Sequence, residues 1–148
     1  MKKLSGFSLV EVLVFTAVLG LFFVAAMSVV TFNIKNMKIQ EHKIIATRYA
    51  EEAVEWLKQE KEDDWSEFIK KDNNPSGGKT FCLNNLEEGW SHQVPPSCDY
   101  GLGTIYKREL LITNSSSLDN IDSIITVSWQ DMGTGLSVPI KTVFKLLE

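Results

Sequence analysis

Proline and glycine, the residues that most often interrupt helices, are nearly missing from the first half of this chain. The first of its four prolines is Pro75, and no glycine stands between Gly20 and Gly77. Because these residues end or kink helices, their absence argues against a first half made of short elements joined by turns. It allows a single long helix instead.

Charge is missing from the segment Val12–Phe32, which reads VLVFTAVLGLFFVAAMSVVTF. As a helix this segment of 21 residues would be about 31 Å long, enough to cross a hydrocarbon core of ~30 Å. The run is too long for an ordinary secretory signal, and Ala25-Ala26-Met27 lies inside it rather than before a polar mature start. Lys2 and Lys3 precede it, and positive residues favour the cytoplasmic side. The segment therefore predicts an uncleaved membrane anchor.

Residues that carry catalysis or bind metals are scarce. The two histidines, His42 and His92, are far apart in the sequence, and the chain has no HExxH, GxSxG, phosphate-loop or CxxC motif. We therefore expect no enzyme, no metal site and no cofactor, and we interpret His42 as a solvated residue on a helix. The formal charge of −4 and the lack of basic loops argue against a nucleic-acid partner.

Cysteine is limited to Cys82 and Cys98, with 15 residues between them. An even number of cysteines in a domain predicted to lie outside the cytoplasm favours a disulfide, and the alternative is a pair of reduced, buried cysteines. A disulfide closing this loop would contribute about 3 kcal/mol by the chain-entropy estimate.

A single carboxylate stands at the start of the apolar run. Glu11 lies between Val10 and Val12, and a carboxylate at membrane depth costs several kcal/mol unless it finds a partner or reaches the interface. On the residues alone two interpretations remain. Glu11 is a functional group, or it lies at headgroup level without a role.

The N-terminal sequence MKKLSG is followed directly by FSLVEVLV, which places Gly6 before Phe7 and Glu11 four residues after Phe7. This arrangement resembles the class III signal of type IV prepilins and type II secretion pseudopilins. The resemblance implies that the prepilin peptidase cleaves between Gly6 and Phe7 and methylates the new amine of Phe7. It also implies that Glu11 pairs with the N-terminal amine of a neighbouring subunit during assembly.

The resemblance implies a leader over 1–6, a transmembrane and assembly helix over 7–33, and a pilin head domain over 34–148. The chain would be a structural minor subunit of a type IV pilus-like filament, without a cofactor. Its partners would be other pilin subunits, the prepilin peptidase and the membrane. It would lie in the inner membrane as a single-pass protein with its head outside the cytoplasm, and later in a cell-surface or periplasmic filament.

Other functions stay open beside that one. A type II secretion or competence pseudopilin would carry the same signal, a pilus-tip subunit would bind a surface or DNA, and a single-pass protein would remain unprocessed. The chain differs from many major pilins because it has no proline near Ser28 and because its cysteine pair occurs earlier. The early pair favours a minor pilin or a pseudopilin. The segments FCL, YKREL and ITVSW resemble heads of minor pilins of the pilus-modification class.

Helical periodicity continues beyond the apolar run. It predicts one helix from about Phe7 to Lys61, or as far as Phe68. Because a lone helix of this length needs a partner for its apolar stripe, its second half is expected to pack on the head domain with Trp56 in the core. The predicted stripe consists of Ile34, Met37, Glu41, Ile44, Ile45, Arg48, Tyr49, Glu52, Ala53, Trp56 and Leu57.

Four candidate strands follow the helix breaker DNNPSGG at 72–78. In the third strand Ile125, Val127 and Trp129 alternate with polar residues, and a turn at 131–135 leads to the fourth. Short connections predict an antiparallel sheet whose apolar face the helix covers, which is an α+β fold and the arrangement of pilins. The predicted strands are Lys79–Leu83, Thr104–Thr113, Ser123–Gln130 and Val138–Leu146.

Overall fold

The fold combines one long helix with a small antiparallel sheet. The computed structural model describes residues 8–71, 77–90, 98–114, 120–131 and 133–146. Backbone contacts divide the chain into a helical unit, Met1–Gln40, and a head unit, Glu41–Glu148. The class is α+β, as predicted. Within the described residues the elements are α1 (Leu9–Asp63), α2 (Trp65–Ile69), β1 (Lys79–Cys82), β2 (Tyr106–Asn114), β3 (Asn120–Asp131) and β4 (Thr134–Lys145).

Helix α1 is continuous over 55 residues, which confirms the long helix expected from the lack of proline and glycine. It ends at Asp63 because Asp64 adopts an extended backbone and caps α2. The Asp64 carboxylate accepts a hydrogen bond from the Glu67 backbone N–H at 3.1 Å and one from the Ser66 hydroxyl at 2.8 Å. Aspartate at this position satisfies free N–H groups of the following turn. Phe68 therefore lies in a separate short helix.

Within the head unit, three alanines and one leucine on the same side of α1 face the core, and the three alanines are called the alanine line. Ala46, Ala50, Ala53 and Leu57 are completely buried, and in the core they pack in one cluster with large side chains of the sheet such as Trp129. Alanines leave room for such side chains without creating cavities. Burial here is set by the shape of the opposing sheet as well as by hydrophobicity.

The predicted helix stripe was therefore wrong along one of its edges. Ile34, Met37 and Ile44 are 53%, 70% and 60% exposed, and Glu41 and Arg48 are also exposed. Residues that recur every three or four positions fall on two adjacent lines along a helix surface, and the predicted stripe combined both lines. Within the head unit, only the line that contains Ile45, Tyr49 and the buried alanines packs against the core.

The sheet is a meander in the order β1-β2-β3-β4, and every neighbouring pair is antiparallel. The predicted antiparallel sheet is thus confirmed. The predicted turn at 131–135 was too long, because Asp131 already pairs with Thr134. Gly133 has a φ of 79°, which suits the left-handed conformation of tight hairpin turns. Strands β3 and β4 therefore extend closer to the turn than predicted. In addition, β3 begins earlier, at Asn120, and β2 begins at Tyr106 rather than at Thr104.

Alternation along the strands separates the two faces of the sheet. In β3 the residues Ile125, Val127 and Trp129 are buried, as predicted, and Ile121 and Ser123 continue the same face. The residues between them are more exposed. This period of two is what a strand with one face on the core requires.

Candidate functional site: the apolar helix and the contacts of the head unit

The first turn of α1 carries the predicted assembly residue. Glu11 is exposed, and its backbone N–H donates to the Ser8 carbonyl oxygen at 3.0 Å. A carboxylate in the first turn interacts favourably with the positive end of the helix dipole. No ion pair of Glu11 occurs among the residues that the structure describes. The predicted cleavage and methylation residues, Gly6 and Phe7, lie outside the described residues.

The apolar part of α1 is exposed along its whole length. None of its most apolar 18-residue window is buried in the protein, and large side chains such as Leu21 and Phe22 are 73% and 67% exposed. By length and composition this helix could cross a membrane. A hydrophobic surface of this size needs lipid or other protein as its surroundings.

Hydroxyl groups within the apolar segment are satisfied inside the helix. Thr16 donates to the Leu13 carbonyl at 3.0 Å, Ser28 donates to the Val24 carbonyl at 3.1 Å, and the Thr31 hydroxyl also bonds to the preceding turn. Such bonds remove the cost of placing a hydroxyl in lipid. The helix passes through Ser28 without interruption.

The two cysteines form the predicted disulfide. Cys82 and Cys98 are bonded, with Cα atoms 5.6 Å apart, a usual separation for this bond. The prediction of a disulfide is confirmed, and the alternative of two reduced cysteines is wrong for this structure. Cys82 ends β1, while Cys98 is buried.

The side chain of Asn84, two residues after Cys82, forms a second link between the two ends of the disulfide loop. Asn84 donates from Nδ2 to the Asp99 carbonyl oxygen at 2.7 Å, and its Oδ1 accepts the backbone N–H of Arg108 at 2.9 Å. Asn84 thus joins the two ends of the loop to strand β2. Sequence reasoning missed this residue, because an asparagine in a loop has no distinctive pattern.

Trp90, inside the disulfide loop, packs on the helices. Its ring centroid lies 5.0 Å from that of Trp56 and 5.9 Å from that of Phe68. The indole N–H donates to the Glu60 carboxylate at 2.5 Å. Trp56, expected in the core, is only partly buried, because it packs against Trp90 at the edge of the core. An aromatic ring with a bonded polar edge is well suited to such a rim.

A buried arginine connects the helix to the sheet. Arg108 is 1% exposed, and its Nε donates to the Leu83 carbonyl oxygen at 2.6 Å. Its Nη1 donates to the Tyr49 carbonyl oxygen at 2.7 Å and to the Glu52 carboxylate at 2.9 Å. Burial lowers the pKa of Arg108, and the Glu52 carboxylate opposes that shift.

Sequence reasoning also missed Arg108, although its pattern was visible. Tyr106, Arg108, Leu110 and Ile112 alternate along β2, and all four are buried. Position 108 therefore points to the core by register, whatever residue occupies it. A guanidinium at such a position requires buried acceptors, and the carbonyl groups of Leu83 and Tyr49 supply them.

The interpretation of His42 as a solvated residue was wrong. Its Nδ1 lies 2.6 Å from the Tyr106 hydroxyl, and the side chain is half-buried. Burial raises the pKa of Tyr106, and the tautomer of His42 determines which of the two groups donates the hydrogen bond. His42 lies on the buried side of the helix, one turn before Ala46, and this proximity to the alanine line was the available signal.

No group of three or more histidine, cysteine, aspartate or glutamate side chains that could hold a metal occurs in the described part of the chain. The contacts described above stabilise the head unit, whereas the apolar part of α1 leaves a large hydrophobic surface exposed. Comparison with protein-family models, with curated proteins and with solved structures finds no match to this chain.

Proposed function

We propose that this chain is a minor subunit of a type IV pilus-like filament, anchored in the membrane by α1 and processed after Gly6. The observation that carries the proposal is the position of Glu11. Glu11 lies in the first turn of α1 and forms no ion pair among the described residues. The helix carries no charge from Val12 to Phe32. The preceding residues carry the prepilin-like signal.

The charge of Glu11 favours association of this helix with another copy of the chain. In a low-dielectric bundle an unpaired carboxylate is costly, and an opposite charge nearby offsets that cost. Cleavage after Gly6 would create a positive amine on Phe7 of each copy, near the start of the same helix. Glu11 of one copy would pair with the Phe7 amine of the next. The exposed apolar surface of α1 would be covered by lipid before assembly and by other helices after it.

The head unit supports this role by providing a stable domain attached to the helix. The disulfide, the Asn84 bridge and Arg108 hold the second half of α1, the loop and the sheet together. A subunit that is pulled from a bilayer into a filament needs a head that does not unfold. These contacts are consistent with that requirement.

Processing provides the test of this proposal. The chain should be co-expressed with a prepilin peptidase, and its intact mass should show the loss of residues 1–6 and the gain of one methyl group on Phe7. A catalytically inactive peptidase is the control. Gly6→Trp should block cleavage, because a large side chain would clash where glycine allows close approach of the backbone. An unchanged mass with active peptidase would refute the proposal.

A further inference from the structure

Two lysines follow the apolar segment near the end of the helical unit. Lys35 and Lys38 are the first charged residues after Glu11, and both side chains are exposed on α1. A separation of three residues places them on one side of a helix, one turn apart. The two ammonium groups form a small basic surface, defined here as the lysine pair.

The distance from Glu11 fixes the depth of the lysine pair in a bilayer. Lys35 is 24 positions after Glu11, which corresponds to about 36 Å along the helix axis. A hydrocarbon core is ~30 Å thick, and the bilayer with its headgroups is ~40–45 Å thick. With Glu11 near one edge of the core, the backbone of Lys35 lies among the headgroups of the opposite leaflet. The backbone of Lys38, about 40 Å from Glu11, lies just outside them, and its long side chain can reach back to the phosphates.

We infer that Lys35 and Lys38 bind the phosphate groups of anionic lipids at that surface. The inference rests on the membrane span of the proposed function. Neither lysine forms an ion pair within the described residues, and the nearest acidic residue is the exposed Glu41, three positions after Lys38. The phosphate oxygens of the lipid supply the missing negative charge.

A second copy of the chain is a poorer partner for this surface. A parallel copy at the same depth presents its own Lys35 and Lys38, and like charges repel. Its apolar segment holds no carboxylate, and the one Glu41 of each copy, three positions after Lys38, leaves the group of lysines with a net positive charge. A lysine near an anionic membrane surface contributes about a 5-fold preference, so the pair should give about a 30-fold preference at physiological ionic strength.

Intact-mass measurement of lipid complexes tests this inference. The full chain would carry Lys2→Gln and Lys3→Gln in every sample, so that the N-terminal lysines do not contribute. It would be placed in micelles with equimolar phosphatidylcholine and phosphatidylglycerol, and the ratio of the two retained lipids would be measured. K35Q/K38Q is the test variant. K58Q/K141Q is the control, because it removes two exposed lysines of the head unit.

The reference and the control are expected to retain phosphatidylglycerol preferentially, and K35Q/K38Q should lower the ratio by about 30-fold. High salt should lower the reference ratio, because exposed charges are screened. Equal ratios in all three proteins would overturn the inference. So would an equal loss in the control, which would show general attraction by charge, or a lipid-free dimer that depends on the two lysines.

A flotation measurement separates this inference from the proposed function. The reference protein should float with vesicles of phosphatidylcholine alone, since the apolar helix needs no anionic lipid to insert. Failure to float would remove the membrane anchor, and with it both proposals. Flotation together with lipid ratios that do not depend on Lys35 and Lys38 would overturn only the lipid inference.

Discussion

Replacement of Arg108 by methionine is expected to destabilise the head unit by about 3–4 kcal/mol. The guanidinium donates to the carbonyl oxygens of Leu83 and Tyr49 and to the Glu52 carboxylate. Each hydrogen bond to a charged group is worth about 1.5–3 kcal/mol, and a buried acceptor left unpaired adds a penalty. Methionine keeps the apolar volume and recovers part of this loss.

The partners of Arg108 should contribute unequally. The Glu52 side chain is 57% exposed, so water can replace its ion pair, and Glu52→Gln should cost less than about 1 kcal/mol. Arg108→Lys should remain close to the methionine variant, because one ammonium group cannot reach acceptors arranged around a planar guanidinium. The two carbonyl acceptors, rather than the salt bridge, therefore carry the stabilisation.

Urea unfolding of the full chain in detergent micelles provides the measurement. All four tryptophans lie after residue 55, so their fluorescence reports on the head unit alone. Glu52→Gln is the matched control, since it removes the ion pair and leaves both carbonyl bonds. A loss in Glu52→Gln as large as that in Arg108→Met would refute this reasoning. A loss below about 1 kcal/mol in Arg108→Met would also refute it.

The remaining predictions also concern the head unit. Tyr106→Phe should cost about 1 kcal/mol near neutral pH, because the bond to His42 is lost. Since burial raises the pKa of Tyr106, the unfolded state ionises first, and stability should fall as the pH rises above about 10. The phenylalanine variant should lack this contribution, and identical alkaline losses in thermal melts of both proteins would contradict it. A fragment from Asn33 onwards should be soluble and monomeric by size-exclusion chromatography, because the apolar segment is removed. Reduction of its Cys82–Cys98 bond should lower its stability by about 3 kcal/mol, and an unchanged melting temperature would contradict this.

The sequence was sufficient for the features that depend on local pattern. The absence of helix breakers predicted α1, and strict alternation placed Ile125, Val127 and Trp129 on the core side of β3. Two cysteines in a polar region predicted the disulfide. In each case the signal lies in residues close together in the chain, and tertiary contacts did not override it.

The features that were missed depend on which surfaces meet in three dimensions. The large side chains of the sheet determine that the alanines face the core and that Ile44 does not. Helical periodicity carries no information about those side chains. The burial of Arg108 depends on carbonyl oxygens contributed by two distant segments. His42 becomes half-buried because Tyr106 lies opposite it, 64 positions away. Residues that act through such contacts need the fold before they can be recognised.

The proposed role of Glu11 in assembly is tested most directly by Glu11→Val in cells that produce the proposed filament and lack the unmodified chain. Sheared-filament and membrane fractions would be compared, and Glu51→Val, which removes an exposed carboxylate of the head unit, would be the control. We expect the Glu11→Val chain to be processed and to remain in the membrane, while its amount in filaments falls sharply and the control assembles normally. Normal incorporation of Glu11→Val would contradict the pairing of Glu11 with the Phe7 amine of a neighbouring subunit.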